Sequence, residues 1–265
     1  MDSIIAIAAA ILYAIATATI VPGLSQQTHI KAKTVFVSAA LAIIFHVWLL
    51  HGQIHNSSSG QNLSMLNVAS LVSFITSLVM SLAMFKTRLW FLLPVVYGFS
   101  IISILASNFL PGAFITHFEG KMGLLIHITI ALFAYATLTI AALYAIQLAW
   151  LDYKLKNKKA MAVNPNLPPL LKVERQLFNI ILIGNGLLTL TLLSGFVFLD
   201  DMFARGSAHK SILSFVAWVI YSVLLWGHYQ KGWRGKKVTW FAIAGATLLT
   251  LAYFGSRFVR EIILN

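Results

Sequence analysis

Among the side chains that could ligate a metal or move a proton near neutral pH, His127 stands apart. It is the one such group inside MGLLIHITIALFAYATLTIAALYAIQLAW, residues 122–150. A neutral imidazole nitrogen there can bind iron, pass a proton, or hydrogen-bond a neighbouring helix, and spacing alone leaves the three readings open. His46 and His228 also lie within apolar stretches, whereas His29, His51, His55, His117 and His209 fall at or beyond the ends of such stretches and read as solvated. The chain has no cysteine, which removes thiolate nucleophiles, disulfides, thioether attachment of haem and cysteine zinc sites, so metal chemistry must use histidine or oxygen.

The element carrying His127 is longer than the roughly 20 residues that cross a ~30 Å hydrocarbon core. On a helix His127, Ala131, Ala134, Tyr135, Leu138, Ala142 and Ala145 share one stripe. That stripe is mostly small, so a neighbouring helix or a flat ligand can approach it, while Leu132, Phe133, Ile140 and Leu143 face lipid or pack in the ordinary way.

Composition sets the class. With 265 residues, 59% of them hydrophobic, 10% charged and a mean hydropathy of +0.85, there is too little polar surface to cover a soluble globule. Hydropathy predicts an all-α, polytopic membrane bundle of about eight spans, near 3–20, 34–51, 65–85, 89–106, 122–149, 178–199, 211–229 and 238–255. The chain reads as one integral membrane domain, 1–265, with five spans, a polar connection over 150–177 bearing Pro165, Pro168 and Pro169, and three further spans. The first span follows Met1 and Asp2 without a basic leader and reads as retained. The net charge of +12 is scattered through short loops, which speaks for topology and against nucleic-acid binding.

Most lysines and arginines fall in the loops after spans one, three, five and seven, including Lys31, Lys86, Lys154 and Lys231, which puts those loops in the cytoplasm and both termini outside. In a bacterium the outside is the periplasm and the membrane is the inner one. His46 and His127 then lie ~7–8 Å below the same outer surface, a match in depth that lets them face a common cavity. His228 lies near the inner end of span seven and cannot share a metal with either. Trp48, Trp90, Trp150, Trp226 and Trp233 sit towards span ends as interfacial anchors, whereas Trp218 is mid-span. Asn185, between Gly184 and Gly186, predicts a close helix contact with an interhelical hydrogen bond. No GxSxG, HExxH or GxxxxGK[ST] pattern occurs, and no run of intramembrane carboxylates, so the chain is not expected to be an enzyme.

The run Leu125 to Tyr144, LIHITIALFAYATLTIAALY, resembles the histidine-bearing helix of the cytochrome c assembly family of membrane proteins. His209, Lys210, Trp218, Tyr221 and His228, then Gly232, Trp233, Arg234 and Gly235, then Tyr253, Phe254 and Gly255, resemble that family's helix and basic turn after its tryptophan-rich loop. LNVASLVSFI, Leu66 to Ile75, is similar to a segment of an early span. Together these cover most of the chain and resemble the small HemX-like branch. The resemblance implies haem handling on the outer membrane face, with His127 at the first outer histidine and His228 at the histidine of the later helix. Two features depart from the pattern: the WWD loop position holds FLDDMFARGSAHK, without tryptophan, and the chain runs YFGSRFVREIILN with no later histidine.

Two expectations follow. In the first, the protein binds haem, of b type and transiently held, with His127 and His46 as candidate iron ligands and His228, Tyr135 and Trp218 as further cofactor-binding residues, but without full delivery activity. In the second, the same bundle is a non-enzymatic accessory or regulatory subunit of another inner-membrane protein, such as an ion transporter. Membrane lipid is a partner in both.

Overall fold

The computed structural model describes residues 2–26, 28–55, 60–110, 112, 114–116, 121–157, 164–199 and 208–258. His117, the acidic stretch from Asp200 to Ser207 at the WWD position, and the tail from Val259 to Asn265 lie outside the described residues.

Apolar runs become helices because each backbone N–H and C=O must find a partner within the hydrocarbon, and only a helix supplies them all locally. The helices are α1 (Asp2–Ser25), α2 (Ala32–His55), α3 (Met65–Ala83), α4 (Leu93–Phe109), α5 (Met122–Lys156), α6 (Leu170–Phe198), α7 (Ala208–Lys231), α8 (Lys236–Thr250) and α9 (Ser256–Phe258). A π-helical turn, Leu251–Gly255, joins the last two. A two-stranded antiparallel pair, β1 (Gln61–Asn62) and β2 (Ile115–Thr116), sets Gln61 opposite Thr116.

Among the described residues, seven helices are long and apolar enough to cross a membrane, and α4 is a shorter apolar helix. This is the polytopic helical membrane architecture expected from hydropathy. Most ends shift by a few residues, and three of the shifts have a clear physical cause. α4 starts at Leu93 rather than near 89, because residues 89–92 form a turn in which Leu92 N–H donates to the Leu89 carbonyl at 2.8 Å. α5 runs on to Lys156 and α6 begins at Leu170, so much of the expected 150–177 connection is helical. Hydropathy ends where charge begins, but a helix does not, and Lys154 and Lys156 suit the negative end of the α5 dipole.

The chain forms two compact units, Met1–His117 with Lys154–Pro169, and Phe118–Tyr153 with Leu170–Asn265. The first unit therefore holds α1 to α4, and the second holds α5 as far as Tyr153 with α6 to α9.

In the first unit α1 packs against α2 and α4, and α3 against the same two. α1 buries Ala6, Ala9, Ala10, Tyr13, Ala16 and Ile20, an alternation of three- and four-residue steps that keeps small residues on the close-packed side. Between α3 and α4 runs a ladder of buried hydroxyl pairs: Ser73 with Ser103 at 2.6 Å, Ser77 with Ser100 at 2.7 Å, and Ser81 with the Tyr97 hydroxyl at 2.8 Å. One end of the unit is tied by its loops. The Asn164 side-chain amide donates to the Gly23 and Leu24 carbonyls at 3.2 and 2.9 Å, that of Asn166 donates to Gly23 and Thr28 at 2.8 and 3.1 Å, and Arg88 donates to the Pro165 carbonyl at 2.7 Å. At the other end Ser64 caps α3, and the Asn62 carboxamide oxygen accepts from the Ser64 and Phe114 backbones.

In the second unit α7 lies between α6 and α8. Glycines set the closest approaches: a Cβ on Gly184 would meet Leu138 at 2.6 Å, and one on Gly245 would meet the Tyr221 ring at 2.6 Å. α5 is tied to the C-terminal helices by Tyr135 with Thr250 at 3.0 Å and by the Thr239 hydroxyl donating to the Ala145 carbonyl at 3.5 Å. The stripe expected on α5 is covered at Ala134, Leu138 and Ala145, and Phe133 is exposed, but Ile140, Ala141 and Tyr144 are buried too. α5 is therefore enclosed on more than one side.

Candidate functional site

His127 sits one turn into α5 and its surroundings come from α6. Nδ1 shares a hydrogen bond with the Ser194 hydroxyl at 3.0 Å, and that hydroxyl donates to the Thr191 carbonyl at 3.0 Å. Gly195 gives the ring its space, since a Cβ there would come within 3.1 Å of Cε1. The ring is half-buried, and among the described residues Nε2 has no hydrogen-bond partner. An imidazole held through one nitrogen and open at the other is oriented for a ligand, because the held nitrogen fixes the ring and its tautomer.

His228 is fixed in a similar way near the end of α7. Its Nδ1 pairs with the Trp233 carbonyl at 3.2 Å, and the ring stacks on Phe178 with 12° between planes. The turn that presents this carbonyl depends on two glycines, Gly232 and Gly235, with φ of +62° and +66°, the left-handed region that glycine enters without strain. Trp233 packs against Gly227, where a Cβ would run into the indole. Arg234 forks onto the Glu174 carboxylate, with Nε donating at 2.9 and 3.1 Å, and these hydrogen bonds hold the guanidinium above its ordinary range. Trp233 is therefore part of a packed turn as well as lying near a span end.

His127 and His228 are far apart. Their α6 contacts, Ser194 and Phe178, are separated by ~24 Å of helix. Between those levels lie Trp218 and Tyr135, the other expected site residues of this unit, and Asn185, expected as a helix contact. The Trp218 indole N–H donates to the Thr189 hydroxyl at 2.8 Å, the Asn185 amide donates to Ser222 at 3.1 Å, and the Tyr135 ring lies 5.8 Å from Phe254 in the π-helical turn. Asn185 makes the interhelical bond that its glycine neighbours led us to expect, and Gly184 makes the close contact, while space beside Gly186 is open.

His46 differs in kind. It belongs to the first unit, is 0% exposed, and has both nitrogens engaged, Nε2 with Ser70 at 3.0 Å and Nδ1 with the Tyr13 hydroxyl at 3.4 Å. Tyr13 and Phe74 meet the ring edge-on. This is the arrangement of a satisfied core histidine. Sequence reasoning missed the partners of both histidines, Ser70 and Tyr13 for one and Ser194 with Gly195 for the other. The spacing of Ser70, Ser73, Ser77 and Ser81 was the readable signal for the first set.

Fold and site together define a polytopic helical membrane protein with singly held imidazoles in its second unit. The profile of the family described as "Cytochrome C assembly protein" matches residues 34–264, and the chain belongs to that family. It is 49% identical over 261 residues, covering 98% of this chain and 99% of the relative, to "Inner membrane protein YpjD" of Escherichia coli (strain K12). It is also 29% identical over 142 residues, 53% of this chain and 52% of the relative, to an uncharacterized 28.8 kDa protein of Azospirillum brasilense. Over 159 residues, 51% of either chain, it is 24% identical to "Cytochrome c biogenesis protein CcsA" of Prochlorococcus marinus (strain AS9601). No solved structure matches. The protein is a multi-pass inner-membrane protein.

Proposed function

We propose that the protein binds haem through His127, as a non-enzymatic haem-handling member of its family, with its termini on the outer side of the membrane. The observation that carries this reading is the half-held imidazole: Nδ1 is taken by Ser194 and Nε2 is left for iron. Haem would be of b type, since the chain has no cysteine to attach it. It would supply an iron centre, which His127 would hold through one imidazole nitrogen, while the absence of a side chain at Gly195 leaves room for the ring.

The remaining candidates take supporting parts. His228 has the same half-held form at the opposite end of the unit and is a second, separate position. Trp218 and Tyr135 line the stretch between, each anchored by a threonine hydroxyl. His46, with both nitrogens occupied, secures the first unit. The segment at the WWD position, residues 198–210, has no tryptophan, which removes stacking surface for a porphyrin and favours transient over permanent binding.

Haem titration of the detergent-solubilised protein tests this. Wild type is expected to give a saturable Soret shift that is lost in His127→Ala and retained in His228→Ala and in whatever fraction of His46→Ala folds. If wild type gives no saturable shift, the accessory-subunit reading takes its place, with the bundle recognising another membrane protein.

A further inference from the structure

A second pair of imidazoles belongs to the first unit, at the end of α2. His51 and His55 are four residues apart, so they project from the same face one turn apart. Their ring centroids are 4.7 Å apart with 26° between planes, and both are exposed. Neither ring has a hydrogen bond among the described residues, so ligation would not require breaking one.

We propose that His51 and His55 form a bidentate site for an exchangeable divalent transition-metal ion, Cu²⁺ by preference, with Ni²⁺ and Zn²⁺ weaker. Imidazole nitrogen is a borderline donor that suits these ions and not Mg²⁺ or Ca²⁺, which take oxygen. The stacked rings must turn about their side-chain bonds before their in-plane nitrogen lone pairs can meet one ion at ~2.0–2.1 Å, and exposed side chains one helical turn apart are free to make that turn. Among the described residues no group of three or more His, Cys, Asp or Glu gathers to hold a metal, so the ion keeps open positions for water or an incoming ligand. Such a site loads and releases rather than storing metal. With the topology proposed above, it faces the outside of the membrane.

Copper titration of the full-length protein, purified without a polyhistidine tag and followed by calorimetry and by electron paramagnetic resonance, is the test. Wild type is expected to bind one equivalent of Cu²⁺ with a nitrogen superhyperfine pattern from two imidazoles. His51→Ala and His55→Ala should each weaken binding by ~10²-fold, since each loses the effective concentration that the second ligand supplies. His29→Ala and His209→Ala should bind as wild type does. Both pair residues are exposed at a helix end, so the variants are expected to elute as folded protein, and His51→Gln and His55→Gln repeat the test with a polar side chain. Absence of stoichiometric binding, affinity unchanged in both single variants, or loss of binding only in His127→Ala would overturn the proposal.

Discussion

The two units treat a membrane-embedded histidine in opposite ways. In the first, His46 is enclosed by α1 and α3 and gives both nitrogens to Tyr13 and Ser70, beside a ladder in which serine hydroxyls pair across α3 and α4. In the second, His127 and His228 each give one nitrogen to the protein and have no partner for the other among the described residues. An ionisable group in a bilayer must be paired, neutral or functional. The first unit shows the fully paired solution, which adds rigidity. The second shows the half-paired one, which fixes a ring and leaves an atom for chemistry. The haem binding proposed above needs both, a fixed frame and a ligand that can be engaged and released.

The largest expected effect breaks this contrast at its root. His46→Ala takes a partner from the Ser70 hydroxyl and one of several from the Tyr13 hydroxyl in a buried core and opens a cavity, at a cost of about 3–5 kcal/mol. His127→Ala, at a half-buried ring, should cost less than about 1 kcal/mol. Thermal unfolding followed by size-exclusion fluorescence ranks the two, and equal losses would erase the distinction between frame and ligand. A smaller effect sharpens it. Tyr13→Phe keeps the ring packing on His46 and Tyr97 but leaves His46 Nδ1 unbonded, for a loss of about 1–2 kcal/mol in the same assay and no change in haem affinity. The smallest change in stability belongs to Gly195→Ala. Its new Cβ, 3.1 Å from His127 Cε1, pushes the ring by a few tenths of an ångström. Haem affinity should fall several-fold while unfolding shifts by less than about 1 kcal/mol.

Sequence made the helices legible and the contrast between histidines illegible, for physical reasons. A span is a property of one segment, since its length and apolarity are set by the bilayer, so each of the eight expected spans has its helix. The overhangs of α5 and α6 escaped hydropathy because a helix continues into water with charged residues that hydropathy scores as loop. His46 and His127 look alike in sequence, each a lone histidine in an apolar helix. What separates them sits on other helices: Tyr13 and Ser70 on α1 and α3, Ser194 and Gly195 on α6. The serines of α3 were visible as a three–four spacing, but hydropathy averages them away, and their meaning appears only when Ser100 and Ser103 of α4 meet them. Asn185 was readable because an amide beside glycine in hydrocarbon has few other uses.

The central claim, that His127 offers Nε2 to iron while Ser194 holds the ring, is tested most directly by imidazole rescue. His127→Gly removes the ligand and leaves a space its size, into which free imidazole can diffuse. The account predicts that the variant shows no saturable Soret shift alone, regains one when imidazole is added, and gains nothing when imidazole is added to His228→Gly. A His127→Gly protein that binds haem as wild type does without imidazole, or that added imidazole fails to rescue, would contradict it.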